Sequence, residues 1–394
     1  MNFRCYSRTV LSLLASIACV FAHAAIPTSE RDALVTLYTS TNGSGWLNGN
    51  GWNGASGTEC EWYGIVCDET QSHVVNINLG WNNLTGSLSP ITSFTSLWGF
   101  SVSSNKLKGP IPSLTGLSKL SQFEVDTNQL TGSIPPLDGL ANLYTFYAFS
   151  NQLSGSIPSF SGLTKLTNFY VFSNHLSGSI PSLAGTKLLS FDAASNQLSG
   201  PIPDLSGSKY LIYFYVDSNQ LTGPIPSLTG LTGLDSFFVS SNQLTGSLPS
   251  LDGLTSLYDF EADDNLLSGS IPSLSVAPKL SYFYASSNQL TGTLPELKNL
   301  SHLYEFKVSA NQLTGAIPDL TGFYPDKILL GNNHLSGVLP AAPTTVFSGA
   351  SSLCANDFPE SSYVDDAAWD RATGVTPWYK ICDAVFTGEF ELKQ

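Results

Sequence analysis

One eight-residue stretch, Asn219-Gln220-Leu221-Thr222-Gly223-Pro224-Ile225-Pro226, returns along most of the chain and limits what it can fold into. The pattern Asn-x-Leu-(Thr/Ser)-Gly-x-(Ile/Leu)-Pro begins at Asn105, Asn128, Asn151, Asn174, Asn196, Asn219, Asn242, Asn265, Asn288, Asn311 and Asn333, with Lys108 at the Thr/Ser place of the first. A twelfth copy opens at Asn82, where Ser89-Pro90 stands in for the final proline. Successive copies lie 23 residues apart, apart from two steps of 22 (Asn174 to Asn196, Asn311 to Asn333). A fixed period of this length marks a solenoid, whose turns bury their apolar faces only against neighbouring turns.

One turn reads from Leu211 to Leu234. Phe214 and Val216 alternate with Tyr213, Tyr215 and Asp217, as inward and outward residues of a short strand do. Asn219 ends the strand, and a buried amide at that place in every turn is expected to bond backbone groups of its own and adjacent turns. Leu221 and Ile225 return to the core, Gly223 permits a tight backbone, and Pro226 withholds a donor and ends pairing.

At these residues the chain resembles the plant-type leucine-rich repeat, found in plant receptor ectodomains and polygalacturonase-inhibiting proteins. The pattern Leu-x-x-Phe-x-Val-x-x-Asn-x-Leu-x-Gly-x-Ile-Pro carries the resemblance, which covers about Val74 to Pro340. Two departures stand out: the plant repeat is usually one residue longer, and Phe123, Phe146, Phe169, Phe191 and Phe214 replace a strand Leu. The resemblance implies a β-rich solenoid, poor in helix: a right-handed leucine-rich repeat superhelix of about 12 repeats of 22–23 residues, closed by N- and C-terminal disulfide caps.

Residues 1–24 read as a secretory leader, with Arg4 and Arg8, an apolar run from Val10 to Phe21, and the cleavage pattern Ala22-His23-Ala24. The run is too short to span a bilayer, and no later segment is apolar enough, so no membrane insertion is expected. Lipidation at Cys19 is a lesser reading, because Ser16 fits that cleavage pattern poorly. The location implied is secreted or extracellular, or the periplasm or cell surface if the source is bacterial, and the resemblance at the chain's end is to bacterial secreted members.

The leader removes Cys5 and Cys19 and leaves two pairs, Cys60/Cys67 and Cys354/Cys382, at opposite ends of the repeat array. Four cysteines allow three pairings, and the intervening solenoid favours the two local disulfides. Zinc is the competing use, but no paired histidines stand near and the compartment is oxidising. The leader also removes two of the 16 Lys and Arg, which leaves 14 against 30 Asp and Glu, a net charge of −16. That balance opposes nucleic-acid binding and suits a basic partner, while also keeping a long solenoid soluble.

The expected organisation is leader 1–24, N-terminal cap 25–73, solenoid 74–340 and C-terminal cap 341–394. A short helix is expected from Thr28 to Tyr38, with Trp46, Trp52 and Trp62 forming the core of a cap that covers the first coil. Trp369 and Trp378 have the same use at the other end, with carbohydrate contact as the alternative. The sequons at Asn42, Asn83 and Asn299 leave glycosylation open.

No constellation for catalysis is visible. His73, His175, His302 and His334 stand apart, the serines lack a nucleophile elbow, and no phosphate loop follows a strand, so no enzyme activity, cofactor or metal is expected. What remains is the outward, concave sheet face. Its central row reads Glu124, Tyr147, Tyr170, Asp192, Tyr215, Phe238, Glu261, Tyr284 and Lys307. Beside it stand Tyr213, Asp259, Tyr282 and Glu305 on one flank and Phe149, Phe172, Asp217 and Asp263 on the other. A patch of exposed rings among carboxylates reads as a ligand-binding surface. Rings stacked only to support strand pairing are the rival reading, which β-branched residues would serve with less exposed ring.

The function expected is non-catalytic recognition of a basic peptide or protein, a secreted hydrolase being one version. The alternative is a cell-wall glycan stacked on the rings. A further possibility uses the Ser/Thr ladder (Thr131, Ser154, Ser177, Ser199, Thr222, Thr245, Ser268) against ice, although a hydroxyl also suits that turn and no thermal hysteresis is expected. The strand Asp259-Phe260-Glu261-Ala262-Asp263 puts three acids on one face, where a Lys or Arg of the ligand fits better than calcium, which wants six or more oxygens around it.

Overall fold

The computed structural model describes residues 25–358, 366–376 and 378. The expected leader and Cys382 lie outside them. Among the described residues, thirteen short strands form one sheet, from Ile65–Cys67 to Lys327–Leu329. Only the first pair, Ile65–Cys67 with Val74–Asn78, is antiparallel; every later strand lies parallel to its neighbour one repeat on. A second parallel sheet of eight strands, from Thr85–Ser87 to Gln243–Thr245, is built from the Asn-x-Leu-Thr-Gly stretches. The molecule is therefore a β-solenoid of about twelve stacked turns with little helix.

The core is a column of phenylalanines. From Phe100 through Phe214 to Phe306, each ring stacks on the next at centroid distances of 5.2–5.9 Å, and all ten are buried. The substitution of Phe for the usual strand Leu thus supplies one offset-stacked ring pair per coil, in addition to the buried area.

The asparagines form the expected ladder. Asn219 Nδ2 donates to the carbonyls of Ala193, Val216 and Asp217 at 3.0–3.1 Å, and its Oδ1 accepts the N–H of Leu198 at 2.9 Å. The same four bonds recur at Asn242, Asn265, Asn288, Asn311 and Asn333. They recur once more at Asn356, so the ladder runs one coil past Pro340. Asn356 stands 23 residues after Asn333 but lacks the Gly-x-Ile-Pro that follows elsewhere, which is why the repeat pattern stops short of it. Each copy of the turn after the ladder needs a left-handed glycine. At Gly223 φ is 76°, and an added Cβ would sit 3.7 Å from Pro201 of the coil before, so the conformation rather than space forbids a side chain.

At the N-terminal end, helix α1 (Thr28–Ser40) buries Leu34 and Leu37. Its Glu30 is buried and accepts the N–H of Val74 at 2.7 Å beside His73, which lies 2.8 Å away. Arg31 pairs with buried Glu59 and lies over the Trp62 ring. Trp46, Trp52 and Trp62 stack in series at 4.8 and 5.1 Å, and Cys60 is disulfide-bonded to Cys67. Beyond the last coil, Trp369 on helix α2 (Asp366–Thr373) is buried and donates to Pro340 O, and Trp378 is buried too, which removes both from carbohydrate contact. Cys354 is buried with Sγ 3.3 Å from Ser352 Oγ, and its expected pairing falls on a residue outside the described ones.

Ala277 takes the place that Leu231, Leu254 and Leu300 hold in other coils, and beside it lies an open groove of about 340 Å³ lined by Leu274, Leu280, Leu300 and Leu303 together with Lys298 and His302. Ala277→Leu restores three buried carbons at about 0.8 kcal/mol each, so a gain of about 2 kcal/mol is expected. A melting temperature at or below wild type would mean the groove leaves the added carbons in solvent.

Candidate functional site

The strands turn their odd residues outward onto the large sheet, and parallel pairing in register places them in rows. Glu124, Tyr147, Tyr170, Asp192, Tyr215, Phe238, Glu261, Tyr284 and Lys307 are successive partners in one such row, each partly exposed. Tyr213, Ser236, Asp259, Tyr282 and Glu305 follow one another in register on one side of it. Phe149, Phe172, Asp217 and Asp263 lie on the other.

The rings are not free-standing. Tyr147 stacks on Tyr170 at 4.7 Å, Phe149 on Phe172 at 4.4 Å, and Tyr215 on Phe238 at 4.6 Å. Tyr282 meets Tyr258 edge-on at 5.4 Å. Strand support and an exposed ring surface are therefore properties of the same side chains, and stacking makes that surface rigid.

The last coils satisfy part of their own charge. Tyr284 donates its hydroxyl to Glu305 Oε2 at 2.6 Å, and Lys307 Nζ bonds the same oxygen at 2.8 Å while lying 3.8 Å over the Tyr284 ring. Burial alone would raise the Glu305 carboxyl, but these two donors outweigh it and hold the group below its usual range. The same surroundings push the Tyr284 hydroxyl far up, through burial first and the bond to Glu305 second. Here the protein's own lysine holds the position expected for a ligand's cation.

The acids of earlier coils form no ion pair among the described residues. Burial pushes Asp259 up to about 7, with Asp235 adding repulsion, and Asp259 Oδ1 is enclosed without any hydrogen-bond partner. Glu261 is pushed up to about 7 by burial and then by Asp259 and Asp217. Asp263 also reaches about 7, chiefly through burial, although Oδ1 accepts the N–H of Ser286 at 2.5 Å. Asp192 reaches about 7 from burial and, secondarily, Asp217; its Oδ1 takes one backbone N–H, from Ala194, at 3.1 Å. Asp217 and Glu124 are raised as well, burial being the main cause for each. Asp235 is an addition to the site that strand alternation did not single out; it acts on Asp259 from the neighbouring coil.

No grouping of three or more His, Cys, Asp or Glu side chains suited to a metal ion is present among the described residues. The Ser/Thr ladder lies on the second sheet, where the hydroxyls of Thr131, Ser154, Ser177, Ser199, Thr222 and Thr245 make no hydrogen bond among the described residues.

Among solved structures, the ectodomain of the Arabidopsis thaliana receptor kinase GASSHO1/SCHENGEN3, in complex with CASPARIAN STRIP INTEGRITY FACTOR 2, matches 89% of this chain at 30% identity with a TM-score of 0.77. The ectodomain of the Arabidopsis receptor kinase HAESA, in complex with an IDA peptide hormone ligand, matches 87% at 29% identity with a TM-score of 0.67. The fold is the plant-type leucine-rich repeat. This leucine-rich repeat chain spans 44% and 60% of the lengths of those two ectodomains. A plant ice-binding protein matches 80% of the chain at 24% identity with a TM-score of 0.54, a likeness of fold alone. No protein-family model matches the chain. No helix among the described residues is long and apolar enough to cross a membrane.

Proposed function

We propose that this leucine-rich repeat protein is a non-catalytic, extracellular recognition protein that binds a basic peptide or protein on the face of the large sheet. The observation that carries the reading is the row of rigid, half-exposed rings interleaved with carboxylates, of which Asp192, Asp259, Glu261 and Asp263 form no ion pair among the described residues. Rings supply contact area at low entropic cost, and the acids steer and select a cationic ligand. Two of the similar ectodomains, GASSHO1/SCHENGEN3 and HAESA, were solved with CASPARIAN STRIP INTEGRITY FACTOR 2 and an IDA peptide hormone ligand bound, which supports a peptide ligand here. In this reading the outer Ser/Thr ladder is solvated surface.

The rival ligand is a neutral glycan, which would stack on the rings and have no use for Glu124, Asp217 or Glu261. Selection from a random peptide display library at low salt is expected to enrich basic sequences, and the enrichment should vanish with Tyr215→Ala. Enrichment indifferent to Tyr215→Ala removes the face from the reading. Salt-independent binding on a neutral glycan array, with no peptide selected, replaces the peptide by a polysaccharide.

A further inference from the structure

Along the central row the residues change in kind with a period of three coils: Glu124, two rings (Tyr147, Tyr170), Asp192, two rings (Tyr215, Phe238), Glu261, then Tyr284. The rings stack within each pair, at 4.7 and 4.6 Å, and among the described residues no ring contact crosses an acid of this row. Asp192 therefore floors a slot walled by Tyr170 and Tyr215, and Glu261 floors one walled by Phe238 and Tyr284. Two strand spacings separate the walls, about 9.6 Å, so a cation midway lies about 5 Å from each ring, inside the reach of a cation–π contact. Ala194 replaces the Phe149 and Phe172 of the two preceding coils, which leaves the flank of the first slot low. Neither Asp192 nor Glu261 joins an ion pair among the described residues, and Lys307 is engaged by Glu305 and Tyr284.

We propose that these two slots read cationic side chains spaced four residues apart on an extended peptide. The proposal rests on the peptide-binding reading above and names the ligand's register. Asp192 and Glu261 are three coils apart, about 14.4 Å along the sheet. An extended chain advances about 3.3–3.4 Å per residue, so four residues cover about 13.4 Å and bring both side chains to the same side. A flat guanidinium fits between two rings and meets the carboxylate below with directed hydrogen bonds. Burial holds both acids up to about 7, with Asp217 adding repulsion at each and Asp259 at Glu261, a cost that a seated cation reduces. Glu124, three coils before Asp192, extends the same register to a third position with a single wall, Tyr147.

The test uses synthetic peptides of one length carrying two arginines, two, four or six apart, in a neutral Ser/Ala background, titrated calorimetrically at low salt. The spacing of four is expected to bind at least tenfold tighter than the others. Asp192→Asn or Glu261→Gln should each abolish that preference, and both replacements are isosteric and remove a buried charge, so folding is retained. Affinity should also rise from pH 6 to pH 8 as the slot acids ionise beside Asp217, Asp235, Asp259 and Asp263, with Lys307 and Glu305 at the far end offsetting each other. Equal affinities for all three spacings, lost together in Tyr215→Ala, overturn the slots and leave the binding face standing. No binding of any dibasic peptide at millimolar concentration overturns the slots and the basic-ligand reading together.

Discussion

Replacing Asn219 by alanine is expected to cost roughly 2–4 kcal/mol of stability. The amide satisfies three carbonyls, of Ala193, Val216 and Asp217, and one N–H, of Leu198, and these groups belong to adjacent coils. Alanine strands the Leu198 N–H, at roughly 1–3 kcal/mol, and takes one of two donors from each carbonyl, since Ala193 O keeps Asn196, Val216 O keeps Asn242 and Asp217 O keeps the N–H of Ser195. Because a solenoid's coils hold only their neighbours, the loss falls on one interface and splits the array there. Asn219→Asp sharpens the point. It keeps the acceptor for Leu198 but turns a second oxygen toward three carbonyls, so it should match or exceed the alanine variant at neutral pH and recover in acid, where one O–H donates again. Urea titrations of both variants at pH 5 and pH 8 check this; a cost below about 1 kcal/mol for Asn219→Ala would mean that the ladder bonds only replace water.

Stability should fall, not rise, between pH 5 and pH 8. Asp192, Asp259, Glu261 and Asp263 are held up at about 7 in the folded protein, above their values in the unfolded chain. For a carboxyl raised on folding, the native state binds protons more tightly, so its contribution is complete below the unfolded value and is lost as pH climbs through about 7. These groups border an open face, so solvent screening cuts each contribution to about 1 kcal/mol, or about 3–4 kcal/mol together. Glu305, held low, is already ionised throughout this window and adds no slope. The melting temperature is expected to be several degrees higher at pH 5.5 than at pH 8, with salt narrowing the gap and Asp259→Asn removing about a quarter of it. A flat profile, or one that rises with pH, would show the face to be better solvated than its geometry indicates.

Strand position, side-chain alternation and the Asn ladder are all legible along the chain because each coil is closed by local rules. A Phe two residues before Val and five before Asn must face the core, and a glycine four residues after Asn must turn. Repetition supplies the rest, since twelve copies of one register leave few ways to stack them. The outward rows could be written down for the same reason. Two kinds of fact needed the stacked structure. One is the ladder's continuation to Asn356, where the coil keeps Leu353 and the asparagine but drops the turn motif, so that only the bonds to Leu330, Leu353 and Cys354 reveal it.

The other is the state of the face itself. Composition counts Asp192 and Glu305 as equal carboxylates, yet the stack leaves Asp192 desolvated between rings while Glu305 receives Lys307 and the Tyr284 hydroxyl. The residues of one strand are set by the chain's own alternation. Which charges find partners is set in space, by Lys307 two residues along the same strand and by Tyr284 in the coil before, because desolvation and Coulomb energy depend on distance in space.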